Sequence, residues 1–379
     1  MARKSASFLL GSMLLLLVLG LIMQVSIGPY VLRGAENPYG EAYKQGLNIG
    51  VGLIALVMAL HFDYERYADW CWFLFAIALL SLLACYLPGI SAPKNGARRW
   101  LDLKGASVQP SEFAKIVGIM VVAAWCAENA EARRTFLKGF FLPVCIVGAL
   151  ILAIAFEVDL GNASLLTVGA LAVLFAAGAR LRYLGMIVVT AVGGLAFAIT
   201  FLKERMDRLI AFTDLEKYRG GDGLQQWQGL IAYGTGGPTG LGLGNSHQKM
   251  GSLPYANSDM ISSIIGEELG GWFTIMMIGC YVTLTVAGFF IAIHAPTRFG
   301  KLLGFGLVSL IAMQTVIHLG VTTALLPNKG MPLPFVSAGG SNMICLMLAV
   351  GILLNICKQS MHLAHQDPVL GRAKLTPAL

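Results

Sequence analysis

Three carboxylates stand at the entrance to a strongly apolar segment, and their position predicts where the chemistry of this chain lies. They are Asp259, Glu267 and Glu268, within the stretch LPYANSDMISSIIGEELG at residues 253–270. Ionisable groups at the edge of a membrane core are costly to keep, so such a cluster indicates a functional site. A membrane enzyme that acts on a polar group at the bilayer surface needs an acid or a base there. The alternative is an acidic helix start that the helix macrodipole stabilises, and Asp259 fits that interpretation as well.

A second charged segment, GARRWLDLKGASVQPSEFAK at residues 96–115, places an acid and a base on one predicted helix. Pro110 suits the first helical position, because its missing N–H would be unpaired there anyway. Glu112 and Lys115, three residues apart, then share one face of the helix just inside the membrane. An internal salt bridge that neutralises two costly charges explains this pair without any ligand.

Two arginines precede that helix, and a salt bridge does not explain them. Arg98 and Arg99 stand beside Trp100 at the predicted membrane surface. Guanidinium groups bind phosphate through paired hydrogen bonds, and indole rings favour the interface between membrane and water. These three residues therefore predict a site for a phosphate or pyrophosphate head group.

Three further segments predict turns or cavity walls. EVDLGNASL at 157–165 places Asp159 either as the cap of the next helix or as an acid that faces a cavity and pairs with a cation or a bound metal. YGTGGPTGLGLGNSHQKMGSLP at 233–254, which contains Lys249, has no GxxxxGK[ST] motif and no preceding strand, so we expect no nucleotide. Its glycines favour close approach of the backbone to a ligand. LLPNKGMPLPFVSAGGSN at 325–342 predicts a structured, non-helical cavity wall. That wall contains Ser337, Gly339, Gly340 and Ser341.

The composition identifies the kind of protein that must position these groups. Of the 379 residues, 56% are hydrophobic and 12% are charged, and the mean hydropathy is +0.72. Soluble domains carry about 25% charged residues, so the composition predicts an all-α polytopic membrane protein. The formal charge of +7 comes without a basic run dense enough for nucleic acid. The seven cysteines lie mostly in apolar runs, which predicts buried apolar side chains and neither disulfides nor a metal site.

Ten apolar segments approach the length of about 20 residues that a spanning helix needs. Once the long loop is set aside, the distribution of Lys and Arg places both termini in the cytoplasm. We expect a single domain over 1–379, with a cytoplasmic tail at 358–379. A large extracytoplasmic loop is expected at 203–270, between the seventh and eighth helices, and its charged first part favours an amphipathic interfacial helix. The predicted spans are 8–27, 45–62, 70–87, 110–127, 139–156, 161–178, 184–202, 271–293, 303–321 and 341–357.

These segments, in this order, resemble the SEDS family of shape, elongation, division and sporulation proteins. The resemblance rests on RRW, QPSE-x-x-K, DLG, GG-x-x-G-x-G, LP-x4-D, GEELG and PLPF-x-S-x-GGS, and covers nearly the whole chain from 96 to 342. GLGNSHQK and LLPNKGMPLPF are closer to the division branch, FtsW, than to the elongation branch, RodA. The chain also departs from the family. LPYANSDM replaces the common LPEAHTDF, SAGG replaces SYGG at Ala338, and Ile317-His318 replaces a common Ile-Asn.

The resemblance implies a peptidoglycan glycosyltransferase that polymerises lipid II at the outer face of the cytoplasmic membrane and releases undecaprenyl pyrophosphate. It also implies a class B penicillin-binding protein, an FtsI-type transpeptidase, and other divisome proteins as partners at the septum. By match to the family motifs, the essential outer-loop acid falls on Asp259. Lys249 and the serines and glycines of 337–341 are expected to contact substrate, with Glu267 and Glu268 in support. The other sensitive positions of the family fall on Arg98, Arg99, Trp100, Glu112, Lys115 and Asp159.

The chemistry of that reaction fits these residue types. An aspartate within reach of a sugar 4-hydroxyl takes its proton during the attack, and attack opposite the leaving group inverts the anomeric carbon. Arg98, Arg99 and Lys115 would match the charge of the leaving pyrophosphate, with a divalent cation such as Mg2+ as a further candidate whose requirement stays open. Grooves between helices would hold the polyprenyl tails among the membrane lipids.

Two other functions fit part of the pattern. A flippase that moves lipid II across the bilayer would use the same cavity, but charge throughout the membrane depth is expected of it, and here charge concentrates on one side. A divisome scaffold that only recruits the transpeptidase would leave Glu112 and Lys115 at membrane level unexplained.

Overall fold

The computed structural model describes residues 2–31, 37–87, 91, 98–102, 107–201 and 203–366. Over these ranges the chain is almost entirely helical, with one short antiparallel ribbon that pairs Leu101 with Val108. A π-helical turn (Leu137–Phe141) leads into the fifth helix, and short 3₁₀ turns lie at Ala130–Ala132 and Gln248–Met250. The helices are α1 (Ala2–Val31), α2 (Gly40–His61), α3 (Arg66–Ala84), α4 (Pro110–Glu128), α5 (Leu142–Phe156), α6 (Leu160–Ala176), α7 (Leu181–Phe201), α8 (Lys203–Thr213), α9 (Leu224–Gly236), α10 (Ile261–Ile293), α11 (Arg298–Thr322) and α12 (Gly340–Gln366), and the strands are β1 (Leu101–Asp102) and β2 (Ser107–Val108).

Eight helices in the described part of the chain are long and apolar enough to cross a membrane. They are α1, α2, α3, α4, α5 with its π-helical turn, α10, α11 and α12, while α6 and the first part of α7 are shorter apolar helices. All ten predicted spans therefore fall on helices. The predicted all-α, polytopic membrane architecture is confirmed, and the cytoplasmic placement of the termini stays a prediction.

Two predicted boundaries differ from the structure by nine or more residues. The eighth predicted span begins at residue 271, whereas α10 begins at Ile261, so the end of the predicted loop 203–270 is helical. The helix starts early because residues 261–268 are buried against the rest of the protein, which satisfies an otherwise costly polar stretch. The tenth predicted span ends at 357, whereas α12 continues to Gln366. Residues 367–379 of the predicted tail lie outside the described residues.

The helix α10 is interrupted where it enters its apolar part. Gly270 has φ 84°, which non-glycine residues rarely adopt, and it separates residues 261–269 from the membrane half of the helix. The loop 237–242 lies directly against this break. We call the paired stretches 237–242 and 267–272 the glycine clasp. Its backbone hydrogen bonds run from Leu241 N–H to Glu267 C=O (2.9 Å), Gly242 N–H to Glu268 C=O (2.9 Å), Gly271 N–H to Gly237 C=O (2.8 Å) and Trp272 N–H to Pro238 C=O (3.2 Å).

The central helix of the bundle is α4, and nearly all of its side chains are buried. It packs against α3, α5, α6 and α11. The first turn of α4 is polar and meets the first turns of α6 and α12, because Asn162 and Asn342 both hydrogen-bond to Glu112. Polar helix starts are thus gathered at one end of an otherwise apolar bundle. All seven cysteines are free, and four of them are buried.

Candidate active site

A cavity of about 540 Å³ lies at the end of the bundle where α4, α6, α10 and α12 begin. Four helix starts face one space, and the positive ends of their dipoles favour an anionic ligand there. The cavity brings together seven of the predicted site residues from segments far apart in the sequence. These are Arg99, Trp100, Glu112, Asp159, Asp259, Gly339 and Ser341.

Asp259 lies in the turn before α10, with its side chain half-buried at the cavity surface. Burial raises the pKa of this carboxyl from 3.8 to about 6. A hydrogen bond from Ser258 and the positive charge of Arg208 act in the opposite direction. A carboxylate with a pKa near 6 is ionised at neutral pH, yet it is a stronger base than an exposed aspartate.

The turn that carries Asp259 is anchored by the loop before α12. The Ser337 hydroxyl donates a hydrogen bond to the Ser258 carbonyl (2.6 Å), and Ala338 N–H donates to the Asn257 carbonyl (3.0 Å). From α1, the Gln24 amide donates to the same Asn257 carbonyl (2.9 Å). Ser337, predicted to contact substrate, is buried and does not line the cavity, so the structure gives it a positioning task.

Glu112 and Lys115 form the predicted salt bridge, with 2.9 Å between Lys115 Nζ and Glu112 Oε2. Both side chains are buried. Asn162 of α6 connects them, because its amide nitrogen lies 3.0 Å from Glu112 Oε1 and its oxygen accepts from Lys115 (2.7 Å). Asn342 donates to the second oxygen of Glu112 (2.7 Å). Glu112 reaches the cavity surface, whereas Lys115 lies behind it and neutralises its charge.

Asp159 caps a helix, as predicted, and also faces the cavity, while its pairing with a cation stays a prediction. Its Oδ1 accepts from the backbone N–H of Asn162 (3.1 Å), which caps the start of α6. Its Oδ2 accepts from the Gln109 amide (2.9 Å) and the Asn162 amide (2.9 Å). The carboxylate therefore orders two polar side chains of the wall between α4 and α6.

Of the two predicted arginines, only Arg99 lines the cavity. Its Nε donates to the Glu157 carbonyl (3.1 Å), which holds the side chain beside the start of α6, and Trp100 follows it along the same wall. Arg98 is exposed and lies outside the cavity lining. Glu157 is buried next to Cys85, and this burial, with the charge of Asp159, raises its pKa to about 8.

The loop before α12 supplies the opposite wall, as predicted for 325–342. Gly339 and Ser341 line the cavity, and the Ser341 hydroxyl accepts from the backbone N–H of Gln109 (3.0 Å). Gly340 begins α12 but packs toward Asn48 and does not line the cavity. The wall is thus fixed to the segment before α4.

Lys249 does not line the cavity, contrary to its predicted substrate contact. It is fully buried in an ion pair with Glu268, with 2.5 Å between Nζ and Oε1. Ser26 of α1 donates to both carboxylate oxygens of Glu268 (2.9 and 2.8 Å), and the ring of Tyr30 lies 4.9 Å from the ammonium group. A buried charge needs such partners, so this lysine fastens the glycine-rich loop to α1 and α10.

Glu267 has a similar structural task on the other face of α10. It accepts from the Ser246 hydroxyl, from the backbone N–H groups of His247 (3.1 Å) and Gln248 (3.3 Å), and from Thr235 (3.3 Å). Ser246, His247 and Gln248 lie at the start of the 3₁₀ turn Gln248–Met250, whereas Thr235 lies on α9. The expected supporting role of Glu267 and Glu268 therefore takes the form of two buried anchors outside the cavity lining.

Several cavity residues were not predicted. Arg208 reaches the cavity from α8 and Lys329 from the loop before α12, so both add positive charge to it. Gly330 touches the acid directly, since a Cβ built there would lie 2.5 Å from Asp259 Oδ2. From the sequence alone, a charged residue in a long loop that lines a cavity looks the same as one that is exposed to solvent. Asn162 had only the EVDLGN motif around it as a signal.

Two of the three carboxylates that line the cavity, Glu112 and Asp159, do not fit a metal held by the protein. Among the described residues, no group of three or more His, Cys, Asp or Glu side chains could hold a metal ion. The oxygens of Glu112 and Asp159 are already occupied by amide, hydroxyl and ammonium donors. Arg99, Arg208 and Lys329 contribute positive charge to this cavity.

The fold and the cavity define a polytopic membrane protein that gathers an acid and several cationic groups at one membrane face. The chain belongs to the cell cycle protein family of FtsW, RodA and SpoVE, whose family model matches residues 6–362. A protein named probable peptidoglycan glycosyltransferase FtsW from Geobacter metallireducens is 39% identical over 317 residues, which cover 83% of this chain and 84% of that protein. Stage V sporulation protein E of Bacillus subtilis is 34% identical over 351 residues, which cover 92% of this chain and 95% of that protein.

Solved structures share the fold. A chain of a structure described as the structural coordination of polymerization and crosslinking by a peptidoglycan synthase complex superposes with a TM-score of 0.76 at 21% identity. The match covers 93% of this chain and 97% of the other. The rod shape determining protein RodA of Thermus thermophilus superposes with a TM-score of 0.69 at 23% identity, over 93% of this chain and 96% of the other.

Proposed function

We propose that this protein polymerises lipid II into glycan strands by an inverting glycosyl transfer in which Asp259 is the general base. By its family and by its kinship to the FtsW proteins, the chain is a multi-pass membrane peptidoglycan glycosyltransferase. The mechanism rests on one observation about the cavity. In it, the half-buried Asp259, with a pKa of about 6, shares a single space with the cationic side chains of Arg99, Arg208 and Lys329.

The glycosyl transfer needs both the carboxylate base and the cationic side chains. As the 4-hydroxyl of the acceptor sugar attacks the anomeric carbon of the donor, its proton passes to the Asp259 carboxylate and a carbon–oxygen bond forms. The bond from the anomeric carbon to the phosphate oxygen breaks, and its electron pair leaves with the undecaprenyl pyrophosphate. Cationic groups stabilise the charge that develops on this leaving group. One base suffices, and no covalent intermediate forms.

Some of the cationic side chains are placed to contact the substrate, and one has a structural role. Arg99, Arg208 and Lys329 line the cavity and are placed to meet the pyrophosphate. Lys115, expected from the sequence to do so, is held by Glu112 and Asn162 and instead keeps the acidic wall near neutrality. A divalent cation, if one takes part, would arrive with the pyrophosphate.

The proposed cellular setting follows the family resemblance. We place the protein in the cytoplasmic membrane at the division septum, with lipid II entering among the membrane lipids. A class B penicillin-binding protein of the FtsI type would crosslink the strands, together with other divisome proteins. The support for this is kinship to FtsW proteins and a shared fold with a chain of a peptidoglycan synthase complex.

The test is polymerisation of labelled lipid II by the detergent-purified protein, with and without its class B partner. We expect Asp259→Asn to fold normally and to lose about 10²- to 10⁴-fold in turnover, the usual contribution of a general base. The matched control is Asp222→Asn, which neutralises an exposed acid of the outer loop that does not line the cavity.

Full turnover by Asp259→Asn would refute the role of this acid. No product under any condition, together with movement of lipid II across liposome membranes, would instead identify a flippase.

A further inference from the structure

Tyr255 has a backbone conformation that tyrosine rarely adopts. Its φ is 55°, in the left-handed region, although its side chain is large. The surrounding turn requires this conformation, because the Tyr255 carbonyl accepts from the N–H groups of Ser258 (3.1 Å) and Met260 (3.3 Å). That turn presents Asp259 to the cavity. Glycine or asparagine would build the same turn with less strain, so an advantage of the tyrosine ring must offset the cost.

The ring of Tyr255 lies at the cavity and not in the protein core. Its side chain is 54% exposed, and it lines the same space as Asp259. A tyrosine that only anchors a protein in the membrane interface would lie on the lipid-facing rim. Tyr255 and Trp100 are the two aromatic side chains among the described residues of the cavity lining.

This combination of an aromatic surface with polar walls suits a sugar ring. One face of a pyranose presents mainly C–H groups, and the electron-rich face of an aromatic ring packs against such groups. The hydroxyl and amide groups at the edge of the sugar need hydrogen-bond partners. Gln225 and Arg208, which line the cavity with Tyr255, supply donors of this kind.

We propose that Tyr255 forms a subsite for the apolar face of a pyranose ring, next to Asp259. The inference rests on the proposed function and adds a residue that positions the sugar against the base. The backbone strain at residue 255 is then the cost of placing an aromatic ring four residues before the acid. Position 255 is also one at which the chain departs from the LPEAHTDF pattern of the resembled family.

Two variants at position 255 distinguish the contribution of the aromatic ring from that of the backbone conformation. Tyr255→Phe keeps the aromatic face, whereas Tyr255→Asn removes it and tolerates the left-handed conformation. The probe is the disaccharide of N-acetylglucosamine and N-acetylmuramic acid without lipid or pyrophosphate, titrated into the full-length protein in detergent. Lipid II polymerisation supplies kcat and KM. Tyr43→Asn, at an exposed tyrosine of α2 outside the cavity lining, is the matched control.

We expect Tyr255→Asn to raise the disaccharide Kd and the KM for lipid II by about three- to tenfold, the loss of one aromatic contact. The same variant should unfold about 2 °C higher, because the backbone strain is relieved. Tyr255→Phe and Tyr43→Asn should bind the disaccharide as the wild type does.

A structural role for the ring would give the opposite pattern. A lower unfolding temperature of Tyr255→Asn with unchanged Kd and KM would overturn the proposal, and so would unchanged binding at unchanged stability. Failure of the proposed function is separable from this result. In one outcome, the wild type makes no glycan while its disaccharide binding still depends on the Tyr255 ring. That result would support the sugar subsite and refute the proposed polymerase activity.

Discussion

The contact between Gly330 and the acid makes a sharp test of the geometry around Asp259. A Cβ at residue 330 would lie 2.5 Å from Asp259 Oδ2, whereas ordinary contact begins at 3.4 Å, so the two atoms must separate by about 0.9 Å. A displacement of about 1 Å at a reacting group costs about 10²-fold in rate. Gly330→Ala is therefore expected to lower kcat by about that factor. The backbone at this position lies outside the left-handed region, so alanine itself is tolerated.

The assay is lipid II polymerisation over a range of substrate concentrations, with thermal unfolding measured on the same samples. Gly330 is exposed at the cavity surface, so the unfolding temperature should stay that of the wild type. Gly234→Ala is the control, because Gly234 is exposed on α9 and a Cβ there meets nothing within 4 Å. A full rate for Gly330→Ala, beside an inactive Asp259→Asn, would show that the position of this carboxylate does not limit the reaction. A rise in KM alone would mean that the methyl group blocks substrate instead.

Two further predictions concern the charges. Turnover is expected to fall as pH drops through about 6, because only the ionised Asp259 accepts a proton and its pKa is about 6. Arg208→Gln removes a charge that lowers this pKa, so the acid limb of the kcat/KM profile should move to higher pH, and an unmoved limb would contradict the assignment. Lys249→Met leaves Glu268 buried without its cation, and we expect a loss of about 3–5 kcal/mol in the free energy of unfolding. Lys249→Met with Glu268→Leu should recover most of that loss in thermal unfolding, and equal stability of the single variant would count against the buried pair.

Much of this architecture is predictable because it depends on local pattern. The ten apolar segments fall on helices, since the length of an apolar run alone sets whether a helix can span a bilayer. Glu112 and Lys115 pair as predicted, because a spacing of three residues places them on one helix face. The cap that Asp159 forms on α6 is likewise local, because the N–H group that it binds belongs to Asn162, only three residues away.

The failures of prediction depend on contacts between distant segments. Lys249 pairs with Glu268, nineteen positions later, only because the glycine-rich loop folds back onto α10 and meets α1. From the sequence, Lys249 is one more polar residue of a long outer loop. Arg208 is the converse case, since it enters the cavity although its charged neighbours suggest a solvated position.

The predicted start of α10, at residue 271, lies ten residues after the observed start at Ile261 for a related reason. Residues 261–268 contain serines and two glutamates, which a hydropathy pattern assigns to a loop. In the structure Ser262, Glu267 and Glu268 are buried and have hydrogen-bond partners on α1, α9, α11 and the glycine-rich loop. Only tertiary packing makes a helix of this stretch stable, so apolar periodicity alone does not reveal it.

The glycine clasp limits how this family of chains can diverge. A Cβ at Gly270 would overlap the backbone at Gly240, and a Cβ at Gly240 would overlap the Glu268 carbonyl. No compensating change at the other position relieves either overlap, because each side chain would strike main-chain atoms. The spacing of the loop is equally constrained, since inserting one residue between 238 and 241 would move the hydrogen bonds of 237 and 238 out of register with those of 241 and 242. A homologue that lost its acid and its activity but kept this architecture would therefore still retain both glycines and the length of the loop between them.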